Sequence, residues 1–288
     1  MPIPEGGIAF FDSGIGGLTV MNACRKFFHD EIFYYYGDNA SAPDGNLSCD
    51  IIYAHVREAF QSFQALRVKA AVIACNTATA VCIDRLRAEF SFPIIGVEPC
   101  VATVAKKGGD VYVLTTRATH ESARYKSLCA RVSAEYPNSV VYPFACDGLA
   151  GEIERHIFDR DHDFSEHFPK GAPSAVALGC THYVYIKDQI ERFYGCKAFD
   201  GNDGVARRLR DELQKVSTLE EKENFYEKTG EKRPLKTTPN NCSGDFWEKR
   251  PKSTKNPPFF QLFWLGSGKK INKTVNEQMF ALKNWAKN

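Results

Sequence analysis

Two cysteines, Cys75 and Cys180, stand at the ends of apolar runs, each followed by residues that can hold an anion. The first run, Ala71–Ala74, leads into Cys75-Asn76-Thr77-Ala78-Thr79; the second, Ala175–Leu178, leads into Gly179-Cys180-Thr181-His182-Tyr183. A thiol near a helix N-terminus has a lowered pKa, so part of it is thiolate near neutrality. The surrounding Asn and Thr side chains and helix N–H groups can hold a carboxylate. A nucleophilic cysteine needs one base, and His182 could supply it, so a single thiol would then suffice. Two thiols in matching loops suit a different reaction, proton transfer at a carbon bound between them. One, as thiolate, takes the proton from one face; the other, as thiol, returns a proton to the opposite face. Inversion at carbon needs both faces, and a cleft between two domains can close and exclude water while it happens.

A third loop follows Ile8–Phe11: Asp12-Ser13-Gly14-Ile15-Gly16-Gly17. Its glycines let the backbone turn tightly toward a ligand, and the helix that follows offers free N–H groups to an anion. It is neither a Walker loop nor a G-x-G-x-x-G turn, and what distinguishes it is an ionisable Asp12 beside the Ser13 hydroxyl at a strand end. The other eight cysteines (Cys24, Cys49, Cys82, Cys100, Cys129, Cys146, Cys196 and Cys242) read as core or surface thiols. No C-x-x-C pair occurs, which argues against a zinc ribbon or a thioredoxin-type motif.

The elements that must position these loops alternate along the first two hundred residues. Strands are expected at Ile8–Phe11, Ile32–Tyr36, Ala71–Ala74, Pro93–Val97, Val111–Thr115, Val140–Tyr142, Ala175–Leu178 and Lys197–Phe199. Several are apolar throughout, as parallel strands buried on both faces must be. Helices are expected at Ser48–Arg67, Thr77–Phe90, Thr119–Glu135 and Tyr183–Tyr194. This alternation predicts an α/β fold of doubly wound parallel sheets. Two domains are favoured, because the two cysteine loops then face one another across a cleft.

The chain has 288 residues and a net charge of +2, with no run of 18 apolar residues and no secretory pattern at its start. These features predict a cytoplasmic protein without a membrane partner. From Lys228 to Asn288, 13 Lys and Arg face 4 Asp and Glu, with all three tryptophans. A nucleic-acid partner is weighed for this tail, but a solvated basic face is the plainer reading. It divides into a loop near Thr229–Pro258, a strand at Phe259–Leu265 and a closing helix at Val275–Ala286.

The stretches IAFFDSGIGGLTV, AVIACNTATA, GVEP and ALGCTHY, in order from about Gly7 to Arg208, resemble the cofactor-independent aspartate/glutamate racemase family, glutamate racemases in particular. The resemblance implies two pseudo-symmetric α/β domains with the active site in the cleft between them. The chain would build 1–97, then 98–204, and return with 205–288 to the first domain. It further implies a homodimer that racemises glutamate without cofactor or metal and supplies D-glutamate for peptidoglycan. Carried over by position, Cys75 is the thiol serving the D-substrate and Cys180 the one serving the L-substrate. Asp12 assists Cys75, and His182 assists Cys180. Ser13, Asp44, Gly45, Asn76, Thr77, Thr119 and Thr181 fall on substrate-holding positions, although Thr119 could equally cap a helix.

The chain departs from the family pattern at Asp38-Asn39-Ala40-Ser41-Ala42-Pro43-Asp44-Gly45, where Ser41 replaces an Arg and Asp44 a Tyr. Both changes fall near a dianionic substrate and leave open a racemase of another amino acid, such as aspartate, or an amino-acid-binding protein without turnover. A metal enzyme using Cys180, His182 and Asp12 is a further alternative. It offers a sparse ligand set and leaves the paired loops unexplained.

Overall fold

The computed structural model describes residues 6–28, 31–38, 48–229 and 261–264. Its strands are β1 (Ile8–Asp12), β2 (Ile32–Gly37), β3 (Ala70–Ile73), β4 (Ile94–Gly96), β5 (Gly109–Thr115), β6 (Ser139–Ala145), β7 (Ala175–Gly179), β8 (Lys197–Phe199) and β9 (Gln261–Trp264). All eight expected strands of the first two hundred residues form. They make two parallel sheets, one ordered β4-β3-β1-β2-β9 and the other β6-β5-β7-β8. β9 lies within the expected strand Phe259–Leu265 and pairs with the edge of the first sheet, Phe33 opposite Leu262.

The inner strands of each sheet are buried on both faces, which is why β1, β3 and β7 lack polar alternation, while the edge strand β6 is largely exposed. Successive side chains of a strand point to opposite faces. In β1, Ile8 and Phe10 enter a core with α1 (Gly17–Arg25) and α9 (Asn202–Thr229). Ala9 and Phe11 enter a second core with α2 (Cys49–Ala65) and α3 (Asn76–Glu89), where Phe60 and Phe63 are fully buried. Burying one such ring contributes about 1.5–3 kcal/mol. The second sheet repeats the plan. Val111 and Val113 of β5 pack with α4 (Val101–Ala105) and α6 (Ala123–Glu135), and Leu114 packs with α7 (Leu149–His156) and α8 (Lys187–Tyr194).

The strand order places the chemistry. From β1 the chain moves to β2 on one side and then to β3 on the other; from β5 it moves to β6 and then to β7. Crevices open at the C-terminal ends of strands where the winding reverses in this way. Asp12 ends β1 and Cys75 comes just after β3, while Thr116 and Cys180 follow β5 and β7.

Two expected helices are broken. Thr119–Glu135 is split into α5 (Arg117–Glu121) and α6, because Ser122 is extended and its hydroxyl accepts from the Tyr125 amide at 3.2 Å. The stretch after Cys180 begins as a 3₁₀ turn, Thr181–Ile186, before α8 starts. Ser41, Asp44, Gly45, the closing helix Val275–Ala286 and the tail loop beyond Thr229 lie outside the described residues. No helix among the described residues is long and apolar enough to cross a membrane.

Candidate active site

Cys75 leaves β3 in extended conformation and caps α3, its Sγ accepting from the Ala78 amide at 3.4 Å. Ser13 Oγ lies 3.5 Å from the same sulfur. The sulfur thus meets an amide donor and a hydroxyl at the positive end of a fourteen-residue helix.

Cys180 is built differently, although its loop reads alike. It too is extended, but its side chain caps nothing. Its Sγ lies 3.7 Å from His182 Nδ1, and His182 Nε2 lies 2.7 Å from Glu154 Oε1 on α7. Burial of His182 pulls its pKa down. The Cys180 and Glu154 hydrogen bonds and charges outweigh that and hold it well above the ordinary value, so an imidazolium faces the sulfur. Glu154 is mostly buried, which pushes its carboxyl up, yet His182 and the Ile15 amide at 3.2 Å bring it below its usual range. The second thiol is thus supported by an ion pair where the first relies on a helix end.

Asp12 is fully buried. Oδ2 accepts from the Gly14 amide at 3.0 Å and lies 3.4 Å from the Tyr35 hydroxyl, while Oδ1 has no partner in hydrogen-bond geometry among the described residues. Burial raises its pKa, against the opposing pull of His182 and of the Gly17 and Gly14 amides.

The turn after Asp12 joins the two half-sites. Ser13 touches Cys75, and the Ile15 amide donates to Glu154. The Ile15 carbonyl accepts from Tyr185 Oη at 2.8 Å. Within the turn itself, the Gly14 and Ile15 amides are taken by carboxylates of the protein, Asp12 and Glu154. The glycines make room for side chains. A Cβ at Gly14 would stand 2.0 Å from Glu154 Oε1, and one at Gly16 would stand 2.4 Å from Thr181 Oγ1 and 2.7 Å from His182 Nδ1. Gly16→Ala is therefore expected to displace the imidazole and lower kcat by about 10²-fold, the scale of a misplaced acid–base group. Steady-state kinetics on a variant with unchanged circular dichroism would check this, and wild-type turnover would contradict it.

The remaining expected residues fall in two groups. Thr77 Oγ1 lies 2.9 Å from Thr116 Oγ1 and 3.3 Å from Thr119 Oγ1, a hydroxyl cluster drawn from both sheets. Thr116, not Thr119, caps α5, which leaves Thr119 buried within it. Asn76 is buried with Nδ2 3.4 Å from the Val97 carbonyl, and the Thr181 hydroxyl faces Gly16. Asn76 and Thr119 also line a small cavity with Glu98, Arg124 and Tyr125, which none of Cys75, Cys180, Asp12 or His182 reaches.

Sequence reasoning missed Glu154 and Thr116. Glu154 follows buried Ile153 on a short helix, and no motif singles it out. Thr116 lies three residues before Thr119 and caps α5, and a Thr at the entry to a helix was the available signal.

Residues 38–209 match the family described as Asp/Glu/Hydantoin racemase. The chain is 33% identical over 231 residues to a Clostridium botulinum glutamate racemase, covering 77% of this chain and 89% of that one. A Leptospira borgpetersenii glutamate racemase is 33% identical over 214 residues, covering 72% and 82%. Among solved structures, glutamate racemase from Thermus thermophilus in complex with beta-chloro-D-alanine aligns with a TM-score of 0.60 at 30% identity, covering 75% of this chain and 83% of that one. The Escherichia coli glutamate racemase, solved with L-glutamate and the activator UDP-MurNAc-ala, aligns with a TM-score of 0.72 at 23% identity, covering 98% and 96%.

Proposed function

This chain belongs to the Asp/Glu/hydantoin racemase family and is an amino-acid racemase, and on that premise we propose that it interconverts L- and D-glutamate by a two-thiol mechanism. The reading rests on one observation above others: residues 13–16 run from Cys75 Sγ to the Glu154–His182–Cys180 array, so one turn borders both thiols. In the L-to-D direction the Cys180 thiolate takes the Cα proton, breaking C–H and forming S–H, while the Cys75 thiol delivers its proton to the opposite face. The product leaves with Cys75 as thiolate and Cys180 as thiol, and exchange with water restores the starting state. His182, charged and held by Glu154, assists Cys180 from 3.7 Å. The Ala78 amide and the Ser13 hydroxyl contact Cys75 Sγ, with Asp12 assisting on that side. Ser13, Asn76, Thr77, Thr119 and Thr181 hold the substrate, together with Asp44 and Gly45, which lie outside the described residues.

The two sheets support a division into 1–97 plus 205–288 and 98–204, with α9 returning to pack Val205, Ala206 and Leu209 beside α1. The similarity to glutamate racemases supports a role in supplying D-glutamate for peptidoglycan, in the cytoplasm and as a homodimer.

Proton NMR in D2O with L-glutamate, and L-aspartate in parallel, tests the proposal. Loss of the Cα–H signal with a matching fall in optical rotation is expected for glutamate. Faster exchange of aspartate would reassign the substrate and point to Asp44 and Ser41. Binding of either amino acid without exchange would make the protein a binder instead.

A further inference from the structure

The segment after Glu154 holds a second concentration of chemistry that the racemase reaction does not use. Three histidines, His156, His162 and His167, fall within twelve residues of one another on the last turn of α7 and the loop beyond it. Residues 152–167 also carry six carboxylates against only Arg155 and Arg160, which favours a cation. One ligand-grade atom from each of His156, Asp159 and His162 lies within 4.8 Å of the others. The His156 and His162 rings stack with centroids 3.8 Å apart and planes 11° from parallel.

Glu152 completes the arrangement. Its Oε1 lies 2.6 Å from His162 Nε2 and its Oε2 lies 2.6 Å from His167 Nε2. A histidine that donates one ring N–H to a carboxylate presents the other nitrogen, in a fixed tautomer, to a metal. Protein packing already sets the loop. The His162 carbonyl accepts from Gln189 Nε2 at 2.9 Å, the Phe164 amide donates to Gln189 Oε1 at 3.4 Å, and the Phe164 ring is buried. A second set of ligand-grade atoms, on Glu152, Glu166 and His167, shares Glu152 and has only one imidazole.

We propose that His156, Asp159 and His162 form a binding site for a first-row divalent cation of the zinc class, with Glu152 as the carboxylate that orients His162. Two imidazoles and one carboxylate suit Zn²⁺, Co²⁺ or Ni²⁺ rather than Ca²⁺ or Mg²⁺, which take oxygen ligands. Three protein ligands leave a fourth position to water. Tetrahedral coordination at bond lengths near 2.0–2.1 Å brings ligand atoms to about 3.3 Å from one another. Atoms now within 4.8 Å therefore close by at most about 1.5 Å, and the stacked His156 and His162 rings turn out of parallel so that both in-plane lone pairs meet one ion. The cation then ties the loop to the last turn of the helix that carries Glu154.

The test is titration of the full-length, chelator-treated protein with Co²⁺, followed by visible absorption, and with Zn²⁺, followed by calorimetry. One equivalent is expected to bind without the intense thiolate-to-cobalt band. His162→Gln and Asp159→Asn are each expected to weaken binding at least tenfold, and Glu152→Gln by about 10–100-fold, the range for outer carboxylates. Cys180→Ser and the remote His120→Gln are expected to bind as the wild type does. Saturating Zn²⁺ should raise the unfolding temperature of the wild type but not of His162→Gln. The site is overturned if the wild type binds neither ion at 100-fold molar excess. It is equally overturned if His162→Gln binds like wild type, or if the thiolate band appears and vanishes with Cys180→Ser.

Discussion

Cys75→Ala and Cys180→Ala are each expected to lower racemisation, measured by polarimetry from either enantiomer, by on the order of 10³-fold, because under the proposed mechanism each removes one of the two proton-transfer groups. Both sulfurs sit in protein already formed around them, Cys75 6% and Cys180 7% exposed, so the variants are expected to fold. The control is Cys129→Ala, whose thiol is half-buried, raised in pKa by burial and far from the turn at residues 13–16 in the chain. It should keep near wild-type turnover and change stability only modestly. Cys24, Cys100 and Cys146 are held as thiols by burial, each pushed up to about 12. They cannot stand in for a lost base at neutral pH. Turnover within tenfold of wild type in either alanine variant would sink the two-thiol mechanism. Equal loss in Cys129→Ala would sink the assignment of those two thiols.

Glu154→Gln has the second-largest expected effect, a fall in kcat of about 10²-fold, with a signature in pH that packing alone would not give. His182 has its folded pKa raised above the ordinary 6.5, by Cys180 and Glu154 acting against burial. The stabilisation from that pairing is complete below about pH 6.5 and is lost as pH rises through the folded value. Glu154 has its folded pKa lowered from 4.5, so its share is present above that value and is lost as pH falls through the folded one. Wild-type unfolding temperature should therefore decline from pH 6 to 9. In Glu154→Gln, where nothing holds the imidazolium on that side, the decline should be shallower. Calorimetry across that window checks it, and parallel curves would show that Glu154 does not charge His182.

The parts of this molecule that follow local rules were legible. Phe10 and Phe11 face opposite cores, so a run that is apolar at every position had to be a strand covered on both sides, and the parallel sheet followed. Cys75 and Cys180 were found because a thiol at a strand end before hydroxyl residues is a local pattern, repeated. What could not be read depends on residues far apart in sequence. Glu154 meets His182 across 28 residues and Ile15 across 139, and nothing near it marks the meeting. The two cysteine loops looked equivalent, yet Ala78 serves one sulfur and His182 the other. The difference lies in a 3₁₀ turn replacing the first turn of an α-helix, which no composition of Thr-His-Tyr dictates. Gly14 and Gly16 stood out as a tight turn, but the side chains they approach, Glu154 and Thr181, lie far along the chain and could not be read from the turn itself.

Ile15 gives both its backbone groups to the opposite sheet's side of the site, the amide to Glu154 and the carbonyl to Tyr185. If the two halves part to admit substrate, Glu154 loses one of its donors while His182 keeps its grip, and the carboxylate becomes more basic. The Ile15 amide is thus one of the hydrogen bonds that hold Glu154 below its usual range, so a contact made by a single backbone unit of the first sheet's turn reaches the carboxylate that pairs with His182.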